Sequence, residues 1–183
     1  MGVLFKKRAC TINENILEQN LNEIKANHQG LTFIVTDRIE PRYHDSFLRH
    51  HEEVRNHLQQ TYEEEIEPFT QVNLQTIWEG ENTISKRFAL IVKGNEVLGK
   101  QDATIINKTV RLETLYLDPQ LRGNGFGKWL AGSVMLSCKL DFSEINLFET
   151  NVDEKNISTL KTLKPFGFVY ETPIDYFIDK NIK

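Results

Sequence analysis

Three glycines at alternate positions, Gly123, Gly125 and Gly127, follow a run that reads as a strand in LYLDPQLRGNGFGKWL, residues 115–130. A helix should begin there, and a helix N-terminus presents unpaired N–H groups and a partial positive charge that attract phosphate. Glycine removes the Cβ that would keep an anion at a distance. Two phosphate-binding templates fail on spacing. The dinucleotide fingerprint wants a third glycine where Lys128 stands if counting begins at Gly123, or where Leu130 stands if it begins at Gly125. A P-loop wants glycine in place of Arg122 and a hydroxyl residue in place of Trp129. A second cluster, His50, Glu53 and His57, falls at i, i+3 and i+7 of a helix, where a metal could be held. H-E-x-x-H is not met, because Arg55 stands where the second histidine is required, and a solvated salt-bridge face is the simpler reading. No metal site is expected.

The elements that must position these groups follow from hydrophobic periodicity. Ile16, Leu17, Leu21 and Ile24 make an amphipathic helix of residues 13–27, capped by Thr11 or Asn13. GLTFIVTDRI reads as a strand, and Pro41 opens a helical region from about Arg42 to Glu67 that Pro68 ends. From Lys86 the period changes to two: KRFALIVK, EVLGKQDATII and VRLETLYL, joined by GN and NKT turns, predict an antiparallel meander. A helix follows the glycines, then the strand EINLFET, the helix DEKNISTLKTL, and a closing strand pair, GFVYE and IDYFID.

The whole chain of 183 residues is expected to form one domain, with residues 1–29 as an N-terminal extension. With 39% hydrophobic and 26% charged residues it reads as a globular protein, and no apolar run approaches the roughly 20 residues of a membrane helix. A net charge of -4 with dispersed Lys and Arg argues against nucleic acid as a partner. Cys10 and Cys138 lie far apart, as expected of a reducing compartment, so a cytoplasmic address is expected.

The glycine stretch fits Q/R-x-x-G-x-G/A in two overlapping registers, Gln120 to Gly125 and Arg122 to Gly127, and here the chain resembles the GNAT superfamily of acyl-CoA N-acyltransferases. LETLYLDPQLRGNGFG is similar to that family's fourth strand and pyrophosphate loop. NISTLKTLKPFGF is similar to its second motif, with Asn156 followed by Gly167 and Phe168. The likeness covers residues 86–171.

The resemblance implies a mixed, mostly antiparallel α/β sheet of about six to seven strands flanked by helices, with an extra N-terminal helix. It implies acetyl-CoA as the acyl donor, with Leu115, Tyr116 and Leu117 along the pantetheine arm. The diphosphate would lie on Gln120, Leu121, Arg122, Gly123, Asn124, Gly125, Phe126, Gly127 and Lys128, and Asn156 would complete the cofactor site.

The implied reaction moves an acetyl group to a primary amine by direct attack, in a monomer or homodimer that needs neither nucleic acid nor membrane. An alkyl amine with a pKa near 10 must first lose a proton, which requires a base. Glu113 is the first candidate, placed by strand alternation on the face of Leu115 and Leu117; its plain alternative is a surface glutamate. Glu79 and Glu81 come second. The glutamates Glu63, Glu64, Glu65 and Glu67 either attract a cationic acceptor or form a solvated helix face.

The family's general-acid tyrosine belongs seven residues after Asn156, where this chain has Leu163. Either Tyr116, Tyr170 or Tyr176 takes its place, or the thiolate leaves unprotonated, or the protein binds acyl-CoA without efficient turnover. Another acyl-CoA and a non-catalytic CoA-binding module both remain open.

Overall fold

The computed structural model describes residues 2–8, 14–62, 85–153 and 156–173. Seven strands form one sheet in the order β2-β3-β4-β5-β6-β1-β7. They are β1 (Gly2–Arg8), β2 (Thr32–Thr36), β3 (Ser85–Lys93), β4 (Glu96–Ile106), β5 (Thr109–Leu117), β6 (Leu147–Asp153) and β7 (Val169–Pro173). The helices are α1 (Glu14–Asn27), α2 (His44–Tyr62), α3 (Phe126–Asp141) and α4 (Ile157–Leu163). The meander and the helix after the glycines stand where periodicity places them. The second strand of the expected closing pair lies outside the described residues.

One strand was not expected. Within the segment read as an extension, Gly2–Arg8 pairs antiparallel with β6 along its whole length and with β7 on its other side. The chain's beginning therefore fills an interior position of the sheet, joining β6 to β7.

Two apolar layers cover the sheet. On one face, Ala89, Ile91, Val110 and Leu112 meet Trp129, Leu130, Val134 and Cys138 of α3, with Ile24 of α1 at the margin. On the other face Phe88, Leu90, Val92 and Val97 meet Tyr43 and Phe47, where Pro41–Tyr43 turns the chain into α2. Burial of these side chains, at roughly 1.5–3 kcal/mol each, is what holds α2 and α3 to opposite sides of one sheet.

Two departures from regular pairing shape the middle of the sheet. Gln101 pairs with Leu115 and Ala103 with Leu112, so Asp102 faces both Glu113 and Thr114 across a bulge. β5 and β6, parallel neighbours, pair only over Thr109–Arg111 and Leu147–Glu149. Beyond Arg111 the β5 edge has lost its strand partner, and the sheet opens.

Candidate functional site

The opening between β5 and β6 continues into a cleft of about 690 Å³, within the size range of small-molecule sites. Its floor is Leu115, Tyr116 and Leu117 at the end of β5. One wall is the glycine loop with Phe126 and Lys128, another is Asn156, Ser158, Thr159, Lys161 and Thr162 of α4, and α2 adds Glu53, Val54 and His57.

The loop is built to present backbone. Asp118 caps a short 3-10 turn, accepting from the Gln120 amide at 3.0 Å, and the Leu121 amide donates to the Asp118 carbonyl at 2.9 Å. The Arg122 amide goes to Pro119 and the Lys128 amide to Gly125, at 3.3 and 3.0 Å. Among the described residues no hydrogen bond takes up the amides of Gly123 through Gly127. Five consecutive N–H groups thus remain for a ligand, where a helix dipole favours negative charge.

Gly123 and Gly125 hold φ of 82° and 83°, the left-handed region that other residues enter at a cost of roughly 1–2 kcal/mol. A Cβ on Gly125 would stand 2.8 Å from Asn20 Oδ1 of α1, and one on Gly127 would stand 3.4 Å from Thr162 and 3.6 Å from Leu117, both cleft residues. The absent side chain at Gly127 keeps the cleft open, and that at Gly125 lets the loop pack against α1.

Of the residues expected at the cofactor, Leu115, Tyr116, Leu117, Arg122, Gly123, Gly125, Phe126, Gly127, Lys128 and Asn156 all line the cleft. Gln120, Leu121 and Asn124 do not: Leu121 is buried in the core under α3, and Asn124 Nδ2 donates to the Arg122 carbonyl. Arg122 folds back so that Nε donates to the Leu117 carbonyl at 3.0 Å, fixing its guanidinium beside the strand end. Asn156 caps α4 by accepting from the Thr159 amide at 3.1 Å.

Glu113 is not where strand alternation puts it. The bulge adds a residue between Leu112 and Leu115, so Glu113 shares a face with Lys86, Thr104 and Tyr116, opposite Leu115 and Leu117. There it accepts from Thr104 Oγ1 and pairs with Lys86 Nζ at 3.2 Å, and it does not line the cleft. Glu79, Glu81 and the Glu63 to Glu67 run lie outside the described residues, as does Tyr176. Leu163 is buried in the main core.

The carboxylate that does reach the cleft is Glu53, which accepts from the Tyr116 hydroxyl at 2.6 Å. Burial, then this hydrogen bond and the glutamate's charge, raise the Tyr116 pKa and keep the phenol protonated. His50, one turn earlier on α2, stacks on the Tyr116 ring with centroids 4.0 Å apart. Burial lowers its pKa to about 4, so the stacked ring is a neutral imidazole.

Within the i, i+3, i+7 cluster His50 is buried against Tyr116, while Glu53 and His57 are exposed. Among the described residues no group of three or more His, Cys, Asp or Glu gathers to hold a metal. The signal was present in the apolar stripe of Phe47 and Val54, which runs along the same side of α2 as His50 and His57.

Beneath this pair lies a buried polar cluster. Lys100, fully buried and opposite Tyr116 in the β4–β5 register, places Nζ 3.0 Å from Asp102 Oδ1 and 2.9 Å from His51 Nε2, 4.2 Å from the Phe47 ring centroid. Desolvation lowers the Lys100 pKa, opposed by Asp102, and burial lowers that of His51 to about 3.

Solved structures of acetyltransferases share the fold. A tandem GNAT protein from the clavulanic acid biosynthesis pathway matches 95% of this chain with a TM-score of 0.57 at 14% identity. The fold is that of the GNAT acetyltransferases. A GCN5-related N-acetyltransferase-like protein from Streptococcus suis matches 94% with a TM-score of 0.56 at 13% identity. The chain spans 54% and 58% of those two proteins. An aminoglycoside N-acetyltransferase solved in complex with CoA matches 81% of this chain over 95% of its own length, with a TM-score of 0.58 at 14% identity. No family model matches the sequence, and no curated protein matches it. No described helix of this GNAT-fold chain is long and apolar enough to cross a membrane.

Proposed function

We propose that the protein is an N-acetyltransferase that moves the acetyl group of acetyl-CoA to a primary amine by direct attack. The observation that carries this reading is the cleft at the parting of β5 and β6, with the unspent amides of Gly123 to Gly127 at its rim. Those amides, with Arg122 and Lys128, would hold the diphosphate, and the free β5 edge at Leu115 to Leu117 would pair with the pantetheine amides as an added strand does. Thioester chemistry would come from the donor itself. The chain would supply orientation, exclusion of water by Phe126 and Leu117, and proton transfer.

A second reading, a CoA-binding module without turnover, is favoured by the burial of Leu163 in the core, at the position where the resemblance places a tyrosine. Another acyl-CoA is compatible with the same diphosphate cradle. Thiol release from acetyl-CoA, measured over spermidine, kanamycin and Nα-acetyl-lysine amide as acceptors, tests the choice. Amine-dependent release supports the acetyltransferase; binding of acetyl-CoA without release from any acceptor supports the module.

A further inference from the structure

We infer that Glu53 and Tyr116 form a proton relay that carries a proton from the acceptor amine to the departing sulfur; the inference rests on the acyltransferase reading above. Two cleft residues from elements far apart in sequence meet here, with Tyr116 Oη donating to Glu53 Oε2 at 2.6 Å. A carboxylate on the cleft wall attracts a cationic amine and, unlike Glu113, is not spent on a lysine among the described residues. Through that hydrogen bond the glutamate is placed to restore a proton that the phenol gives up.

The surroundings hold the pair in register. His50 stacks on the phenol from above, and the Lys100, Asp102 and His51 cluster ties β4 to α2 beneath it. Other groups acting on Tyr116 are Asp118, which opposes ionisation, and Arg122, which favours it. His57, one turn after Glu53, is exposed at the cleft mouth.

The step balances as follows. Glu53 takes one proton from the bound ammonium, and the neutral amine forms the new C–N bond to the acyl carbon. The nitrogen's second proton passes to water as the C–S bond breaks. The electron pair leaves on sulfur, Tyr116 protonates it, and Glu53 returns its proton to the phenolate. The products are amide, free thiol and one proton released to water.

The test compares wild type, Glu53→Gln, Tyr116→Phe and the double variant. Each is measured for acetyl-CoA affinity by calorimetry, for kcat and KM by thiol release with the best of the three amines, and for tyrosine ionisation by ultraviolet titration. Either single change is expected to lower kcat about 100-fold, with acetyl-CoA affinity within about twofold of wild type. The double variant is expected to be no slower than the slower single one, as for residues acting as a unit. In Glu53→Gln one tyrosine is expected to ionise at lower pH than in wild type, and that step is expected to be missing when Tyr116→Phe is added. A Glu53→Gln enzyme with wild-type kcat, losses that multiply in the double variant, or an unshifted titration overturns the relay alone. Wild type that binds acetyl-CoA but releases no thiol overturns the acyltransferase reading and the relay with it.

Discussion

The two sides of the cleft are built on different physics. The side proposed for the cofactor is a backbone device: a strand end, a capped turn and five unspent amides, whose geometry depends on what the glycines lack. The side proposed for the acceptor is a side-chain device, in which α2 lays His50, His51 and Glu53 over Tyr116 and a buried lysine. Local sequence dictates the first, because turn chemistry and left-handed φ select residue types over a few positions. Tertiary packing dictates the second, because its partners are separated by 49 to 66 positions.

Lys100→Met should break that contrast most severely. It strands the Asp102 carboxylate in the core, and loss of one partner of a buried pair costs about 3–5 kcal/mol. Urea unfolding at pH 7 should show this loss, with much of it regained when Asp102→Leu is added. Next in size, Gly125→Asp puts a side chain at φ 83° against Asn20 and a negative charge on the loop proposed to hold the diphosphate. Acetyl-CoA affinity should fall at least about 100-fold, roughly 2.7 kcal/mol, in a variant that still melts cooperatively.

Acid should act on α2 rather than on the glycine loop. His50 and His51 bind protons near pH 6.5 when unfolded but only near about 4 and about 3 when folded. Their contribution to stability is complete above pH 6.5 and is lost as pH falls through that value toward the folded ones. At pH 5 each has given up about 2 kcal/mol. His50→Phe keeps an aromatic ring against Tyr116 and removes an Nδ1 that is buried without a partner. It should remove about half of the two histidines' combined stability loss between pH 8 and pH 5, read from denaturant midpoints. Smallest of all, Arg122→Ala should weaken acetyl-CoA roughly tenfold while leaving the melting temperature within a degree or two, since the side chain bonds only to the Leu117 carbonyl among the described residues.

The limits of the sequence follow from the same division. The meander and the glycine turn into a helix were legible because each is a local pattern. β1 was not, because Val3 to Phe5 is too short an apolar run to read as a strand, and its pairing partners lie at the other end of the chain. Lys100, Asp102 and Thr104 alternate as a solvated strand face would, yet all three are buried, with His51 and Phe47 of α2 against Lys100. One bulged residue moved Glu113 across the sheet, and no single-strand periodicity reveals a bulge. Glu53 was visible on its helix face, but which neighbour it would meet was decided by the docking of α2 on β5.

The most direct measurement of the central claim is a calorimetric titration of the wild-type protein and of Gly125→Asp with acetyl-CoA and with CoA. Saturable binding of both ligands at one site per chain, lost in the glycine variant, is the predicted result. No binding to the wild type, or equal binding by a folded Gly125→Asp, would contradict the assignment of the three glycines to a diphosphate.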